Sequence, residues 1–150
     1  MPPDANEAVR LHTPNEAESS QAMQAEIRMC LDEWINEVNT GNPDSMNALY
    51  KADAVLLPTF DLKLRNTPAE RKEYFVFFKS RKNLSATIDE CHIAPLGESA
   101  GVADGFYTFH FIDEEGTQQN VKARFTFVCA RQPEGDWQIV AHHSSSRPAL

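Results

Sequence analysis

The residues best able to do chemistry lie near the C-terminus. Gly135-Asp136-Trp137-Gln138-Ile139-Val140-Ala141-His142-His143-Ser144-Ser145-Ser146-Arg147-Pro148 runs from a turn through a Trp-led apolar segment into two histidines and three serines. A strand that stops in water has little use for such a tip. One that reaches a half-buried polar site does. An imidazole titrating at about pH 6.5 could act there as a general base. The serines do not make a hydrolase, because no nucleophile-elbow glycines flank them and no acid is placed to orient a histidine. Side chains alternate along a strand, so His142 and His143 point to opposite faces and cannot share a metal. The adjacent pair Cys91-His92 fails in the same way. No metal site and no cofactor are expected.

Arg124 sits in the middle of an apolar run. It is either a surface or ion-paired residue or a clamp for an anion, since a guanidinium presents a planar fork to a carboxylate or phosphate. Strand parity sorts its neighbours. Over 121–129 the odd positions are Val121, Ala123, Phe125, Phe127 and Cys129, and the even ones are Lys122, Arg124, Thr126 and Val128. Over 137–144 the odd positions are Trp137, Ile139, Ala141 and His143, and the even ones are Gln138, Val140, His142 and Ser144. One face is apolar and the other mixed. A concave apolar cavity with a few convergent polar groups is the usual form of a ligand site. Tyr50 and Tyr107 could donate to a ligand oxygen, although a buried tyrosine needs some partner in any case. Asp53, Asp61 and Asp104 are the candidate cavity carboxylates. Trp34 and Trp137 read as core.

Composition limits what these residues can serve. The 150 residues carry a net charge of −8, with 41% hydrophobic and 24% charged residues. One domain is expected, large enough for a core. No Lys/Arg cluster offsets the acidity, so nucleic acid and anionic membranes are not expected partners. The first twenty residues are polar and do not read as a secretory signal, and no apolar run reaches the roughly 18 residues needed to span a bilayer. Cys30, Cys91 and Cys129 are odd in number and lie in apolar patterns. They read as buried reduced thiols of a cytoplasmic protein.

The elements that must position these groups follow from periodicity. Residues 1–13 are aperiodic and read as a mobile arm, followed by a single domain over 14–150. Thr13-Pro14-Asn15-Glu16 has the form of a capping box. Met23, Ile27, Cys30, Leu31, Trp34, Ile35 and Val38 then lay one apolar stripe on a long helix that Gly41 is placed to end. A short helix follows Asn42-Pro43-Asp44, carrying Met46, Leu49 and Tyr50. Residues 54–60 read as a strand that Pro58 confines to an edge or bulge. Thr67-Pro68-Ala69-Glu70 opens a third helix with Tyr74, Phe75, Phe77 and Phe78. Four strands are predicted near 84–95, 101–112, 119–130 and 136–145, punctuated by Gly97, Gly116 and Gly135. The order implies an α+β domain in which a curved antiparallel sheet wraps a long N-terminal helix.

Four local patterns carry a resemblance. Trp34-Ile35-Asn36-Glu37-Val38-Asn39-Thr40-Gly41-Asn42-Pro43, Leu49-Tyr50-Lys51-Ala52-Asp53-Ala54-Val55-Leu56-Leu57-Pro58-Thr59, Ala123-Arg124-Phe125-Thr126-Phe127-Val128 and the Trp137–Pro148 strand resemble, in order, the nuclear transport factor 2-like superfamily. The nearest likeness is to the association (hub) domain of calcium/calmodulin-dependent protein kinase II and its stand-alone bacterial SnoaL-like relatives. It covers about residues 20 to 148 and implies a cone-shaped α+β fold. In the kinase this domain assembles rings and carries a pocket lined by arginines; the matching positions here hold Tyr107, Thr126 and Ser144. The resemblance places the mixed face inside the cone, so that Arg124, Tyr107, Thr126, His142 and Ser144 would line one ligand site. No kinase catalytic motif occurs in the chain.

Two functions are expected to compete. The first is a homo-oligomeric binding and assembly domain, a homodimer or larger, with a pocket for a small organic ligand, anionic if Arg124 holds it. Its interface would be an apolar outer face built from Val121, Phe125, Phe127, Trp137 and Ile139, a patch too large for a monomer to expose. The second is a cofactor-independent isomerase, cyclase or dehydratase working in the cone. The lack of a paired acid and base favours the first.

Overall fold

The computed structural model describes residues 16–150, with side chains from Ser19 onward. The expected arm and the capping box at Thr13 lie outside the described residues. Helix α1 spans Glu16–Thr40, α2 Pro43–Asn47 and α3 Pro68–Lys79. Strand β1 spans Tyr50–Leu57, β2 Lys82–Pro95, β3 Ala100–Ile112, β4 Gln118–Arg131 and β5 Trp137–Ser146. The apolar stripe of α1 is buried at Ile27, Cys30, Leu31, Trp34 and Val38. Gly41 follows it without a left-handed φ. What requires glycine there is space, since a Cβ would stand 2.8 Å from the Glu37 carbonyl oxygen. Asn42 caps α2 reciprocally with Ser45, each side chain accepting from the other's backbone N–H at 2.9 Å. Thr67 caps α3 by accepting from Glu70 N–H.

The five strands form one sheet in the order β1-β5-β4-β3-β2. Strands β2 to β5 make the antiparallel meander that three short turns dictate. Gly97, Gly116 and Gly135 supply those turns with φ of +76°, +82° and +100°. The sheet is not antiparallel throughout. Strand β1 pairs in parallel with β5, because the chain returns from it through α3 and the whole meander before meeting it again. Strand β1 also begins at Tyr50, which the periodicity had placed on the short helix, and Pro58 follows its last residue at the sheet edge.

The helices and the core lie on one face of the sheet. That face holds Ala123, Phe125, Phe127 and Cys129, all buried, and Ile139 beside them. The expected outer apolar face is therefore the inner one. Val121 and Trp137 are half-buried against the same core. Regular alternation fails in β5, where Ile139 pairs with Cys129 but Ala141 pairs with Val128. Val140 is an extra residue, a bulge. Beyond it the phase reverses, and His142 and Ser144 face inward opposite Phe127 and Phe125. Arg124 and Thr126 stay on the outer face. The five residues expected in one cavity are divided between the two sides of the sheet.

A second irregularity sits in β1. Tyr50 pairs with Ile139 and Val55 with Ala141, so Lys51, Ala52 and Asp53 bow out of the ladder. Two carbonyls of the bow, and that of Ala54 just after it, are met by Arg71 of α3. Its guanidinium donates to Ala54 O at 2.7 Å, to Lys51 O and Ala52 O at 3.1 Å each, and to Asn47 Oδ1 at 3.1 Å. Arg71 is 1% exposed and has no carboxylate within 4 Å among the described residues. It holds the bow and, 5.7 Å from the ring centroid, packs on Tyr50.

Candidate functional site

Five elements converge behind α1 on one buried polar chain. Trp34 Nε1 donates to the Tyr50 hydroxyl at 2.9 Å. That hydroxyl lies 2.7 Å from His142 Nδ1, and His142 Nε2 lies 3.2 Å from the Tyr107 hydroxyl. Tyr107 donates in turn to Ser144 Oγ, which bonds Thr59 Oγ1 in the loop after β1. An indole N–H can only donate, and this fixes the direction of the rest. Tyr50, having accepted from Trp34, donates to Nδ1. The imidazole carries its proton on Nε2 and donates to Tyr107, which donates to Ser144, and Ser144 to Thr59. Every member is satisfied with His142 neutral.

A second proton on His142 would leave two donors facing each other at Tyr50. Burial, and then the nearby His143, hold the imidazole pKa at about 3, below its ordinary 6.5. Burial likewise pushes the Tyr50 and Tyr107 hydroxyls up, so both stay protonated. The rings are fixed by packing. His142 stacks on Phe127 at 3.8 Å between centroids, and Trp34 stacks on Tyr107 at 5.6 Å. The space beside Thr59, Tyr107, His142 and Ser144 is about 10 Å³, room for about one water.

This arrangement can donate and accept neutral hydrogen bonds. It contains no carboxylate among the described residues. Asp53 is exposed beside Lys51, Asp61 is tied to Arg65 at 2.7 Å, and Asp104 stands on the outer face, where Thr126 donates to it. His143 is on the outer face too, paired across from Thr126. No three His, Cys, Asp or Glu side chains come together as metal ligands among the described residues. Cys30 and Cys129 are buried, Cys91 is half-buried, and all three are free thiols.

Tyr50 was expected only as a donor to a ligand oxygen, and Trp34 and Thr59 were not expected in the chain, nor Arg71 as its support. Arg71 had a signal. It falls with Tyr74, Phe75 and Phe78 on the i, i+3, i+4, i+7 stripe of α3, which is a core position.

A half-open sheet packed around one long helix is the nuclear transport factor 2-like fold. The chain superposes on such a superfamily protein of Salmonella enterica with a TM-score of 0.75 at 18% identity, covering 87% of this chain and 94% of that one. It superposes on a ketosteroid isomerase-like protein of Erwinia carotovora atroseptica with a TM-score of 0.71 at 14% identity, covering 84% and 97%. At those identities the likeness is one of fold alone. Residues 23–148 match the family described as the calcium/calmodulin dependent protein kinase II association domain, and the chain belongs to that family. A Xanthomonas campestris structure assigned to the same association domain is 34% identical, with a TM-score of 0.78, covering 83% of this chain and 88% of that one. None of the curated proteins matches the chain.

Proposed function

We propose that this protein is a self-associating module whose outer sheet face packs against a second copy of itself. Membership of an association-domain family supports assembly as its role. The observation that carries the reading is an apolar row that crosses all five strands. Ala94, Val102, Val128, Ala141 and Val55 are paired in register on the outer face, and each is only half-buried. Among the described residues, the buried core lies on the opposite face of the sheet. The row replaces the patch expected from Phe125, Phe127 and Ile139, which lie in the core.

Arg124 gains a role on this face. Among the described residues it has no carboxylate within 4 Å, although Glu90, Asp104 and Phe106 neighbour it on the same side. A two-fold axis through the row brings the second copy's acids toward it. Covering a half-exposed valine is worth about 1 kcal/mol, so a patch of this size must be helped by such pairs. Val128→Lys, at the centre of the row, is expected to reduce the sedimenting species to one chain while leaving far-UV circular dichroism unchanged. Unaltered sedimentation of that variant would remove the outer face from the proposal.

The small-molecule part of the proposal rests with Tyr107, His142 and Ser144. Arg124 and Thr126 no longer belong to it. A ligand larger than water needs the neighbouring loop to move, with Thr59 and Phe60. An enzyme of the isomerase or dehydratase kind gains no support from a cavity without a carboxylate. No helix among the described residues is long and apolar enough to cross a membrane. A cytoplasmic setting is part of the proposal, motivated by the three free thiols.

A further inference from the structure

A different arginine is better placed to take an anion. Arg81 leaves the end of α3 and lays its guanidinium against three phenyl rings, with Cζ 4.2 Å from the centroid of Phe60, 4.8 Å from Phe77 and 4.9 Å from Phe111. Aromatic faces attract the charge but accept none of its N–H donors in the ordinary sense. Among the described residues Arg81 has no carboxylate within 4 Å and no hydrogen-bond acceptor. It is not spent on closing the helix either, because Ser80 does that, donating through both its N–H and its hydroxyl to Phe77 O. In a chain with 22 acidic residues, a half-buried arginine without an acidic neighbour calls for an explanation.

The guanidinium opens onto a cleft of about 810 Å³ between the end of α3 and the β3–β4 turn. That is the size of a small-ligand site, where the inner cavity holds one water. Phe77, Phe111 and Ile112 give the cleft an apolar floor, and Lys82 adds a second cation without an ion pair among the described residues. The far wall carries Asp113, Glu114 and Glu115. Asp113 is committed to its own turn, accepting from the N–H groups of Glu115 and Thr117 and from Gln119. Glu114 and Glu115 face solvent and select against a second negative charge, since repulsion grows with the ligand's charge.

We infer that this cleft is a binding site for a small monocarboxylate with an aromatic or apolar body, the carboxylate held by the Arg81 fork and the body lying along Phe77, Phe111 and Ile112. Three rings hold the guanidinium in place before the ligand arrives, so little side-chain freedom is lost on binding. The fork matches a carboxylate in two parallel bonds, which a lysine cannot offer. A phosphate dianion fits less well because of the glutamates opposite. Phe60 also touches Phe78 and Phe109, which line the inner cavity, so the cleft lies outside the buried polar chain and is separated from it by one ring. The site is set apart from the self-association row, because Ile112 and its strand partner Lys82 lie at the opposite end of β3 from Val102.

The test is an NMR titration of the full-length, isotope-labelled protein with benzoate, benzamide and phenyl phosphate. Benzoate is expected to saturate below about 20 mM and to shift the amides of Arg81, Lys82, Phe111 and Ile112. Benzamide, the neutral isostere, should shift them weakly and without saturation, and phenyl phosphate should bind more weakly than benzoate. Arg81→Gln is expected to weaken benzoate binding by about tenfold or more, and Arg81→Lys by less, while Arg28→Gln on α1 leaves it unchanged. Equal response to benzamide, shifts centred elsewhere, no saturation, or full binding by Arg81→Gln would each overturn the inference. If Arg81→Gln does not fold, the wild-type map and the benzoate–benzamide comparison decide alone.

Discussion

Replacing Arg71 by leucine is expected to cost about 3–5 kcal/mol of folding stability. The chain of causes starts in β1, where three residues bow out of the ladder and leave their carbonyls without strand partners. Arg71 answers those of Lys51 and Ala52, together with the adjoining Ala54 carbonyl and the Asn47 side chain. Leucine fills the volume but leaves these acceptors unmet, at about 1–3 kcal/mol for each that water cannot reach. Burying the guanidinium is itself costly, and burial lowers its pKa, so leucine recovers part of the loss. Several orphaned carbonyls outweigh one relieved charge. Arg71→Lys keeps the charge but not the fork, and should fall between the two. Urea unfolding measures all three proteins. A loss below about 1 kcal/mol for leucine would show that the bow does not depend on Arg71.

Acid should destabilise the protein well above the carboxylate range. His142 is neutral in the fold with a pKa of about 3, against 6.5 when exposed. Between those values the unfolded chain binds a proton that the native one refuses, so stability rises with pH there and falls on acidification. The loss begins near the unfolded pKa and levels off near the folded one. At about 1.4 kcal/mol per pH unit the whole interval sets a ceiling of about 5 kcal/mol, a large share of a typical domain's stability. Denaturation measured from pH 7.5 to 5 should therefore show a slope approaching that of one proton. In His142→Phe, which is less stable at every pH for want of its hydrogen bonds, that part of the slope should vanish. An unchanged slope in the variant would mean that His142 takes up its proton as readily in the fold as outside it.

Much of the architecture could be read from residue patterns. The stripe Ile27, Cys30, Leu31, Trp34 and Val38 can face only one way, and Thr67-Pro68-Ala69-Glu70 starts a helix wherever a helix follows. The turn glycines set the meander. The site was harder to read because it depends on departures from periodicity. The two faces of β4 were inverted because the resemblance placed the mixed face inside the cone, against the run of Ala123, Phe125, Phe127 and Cys129, which a core requires. In β5 the bulge at Val140 then placed His142 and Ser144 on the side that simple alternation denies them. A bulge leaves no mark in a sequence scanned with a fixed period. Pairing between Tyr50 and His142, 92 positions apart, is set by the parallel register of β1 on β5, which no local pattern contains.

The phenylalanines expected at an interface fill the core, and a row of small apolar residues takes their place on the outer face. Light scattering of the wild-type protein at micromolar concentration tests the proposed role most directly. A mass of twice 16.9 kDa, or a larger even multiple, that collapses to 16.9 kDa in Val128→Lys is the predicted result. A wild-type mass of 16.9 kDa would contradict it, and would leave the row across the outer face as the ordinary surface of a monomer.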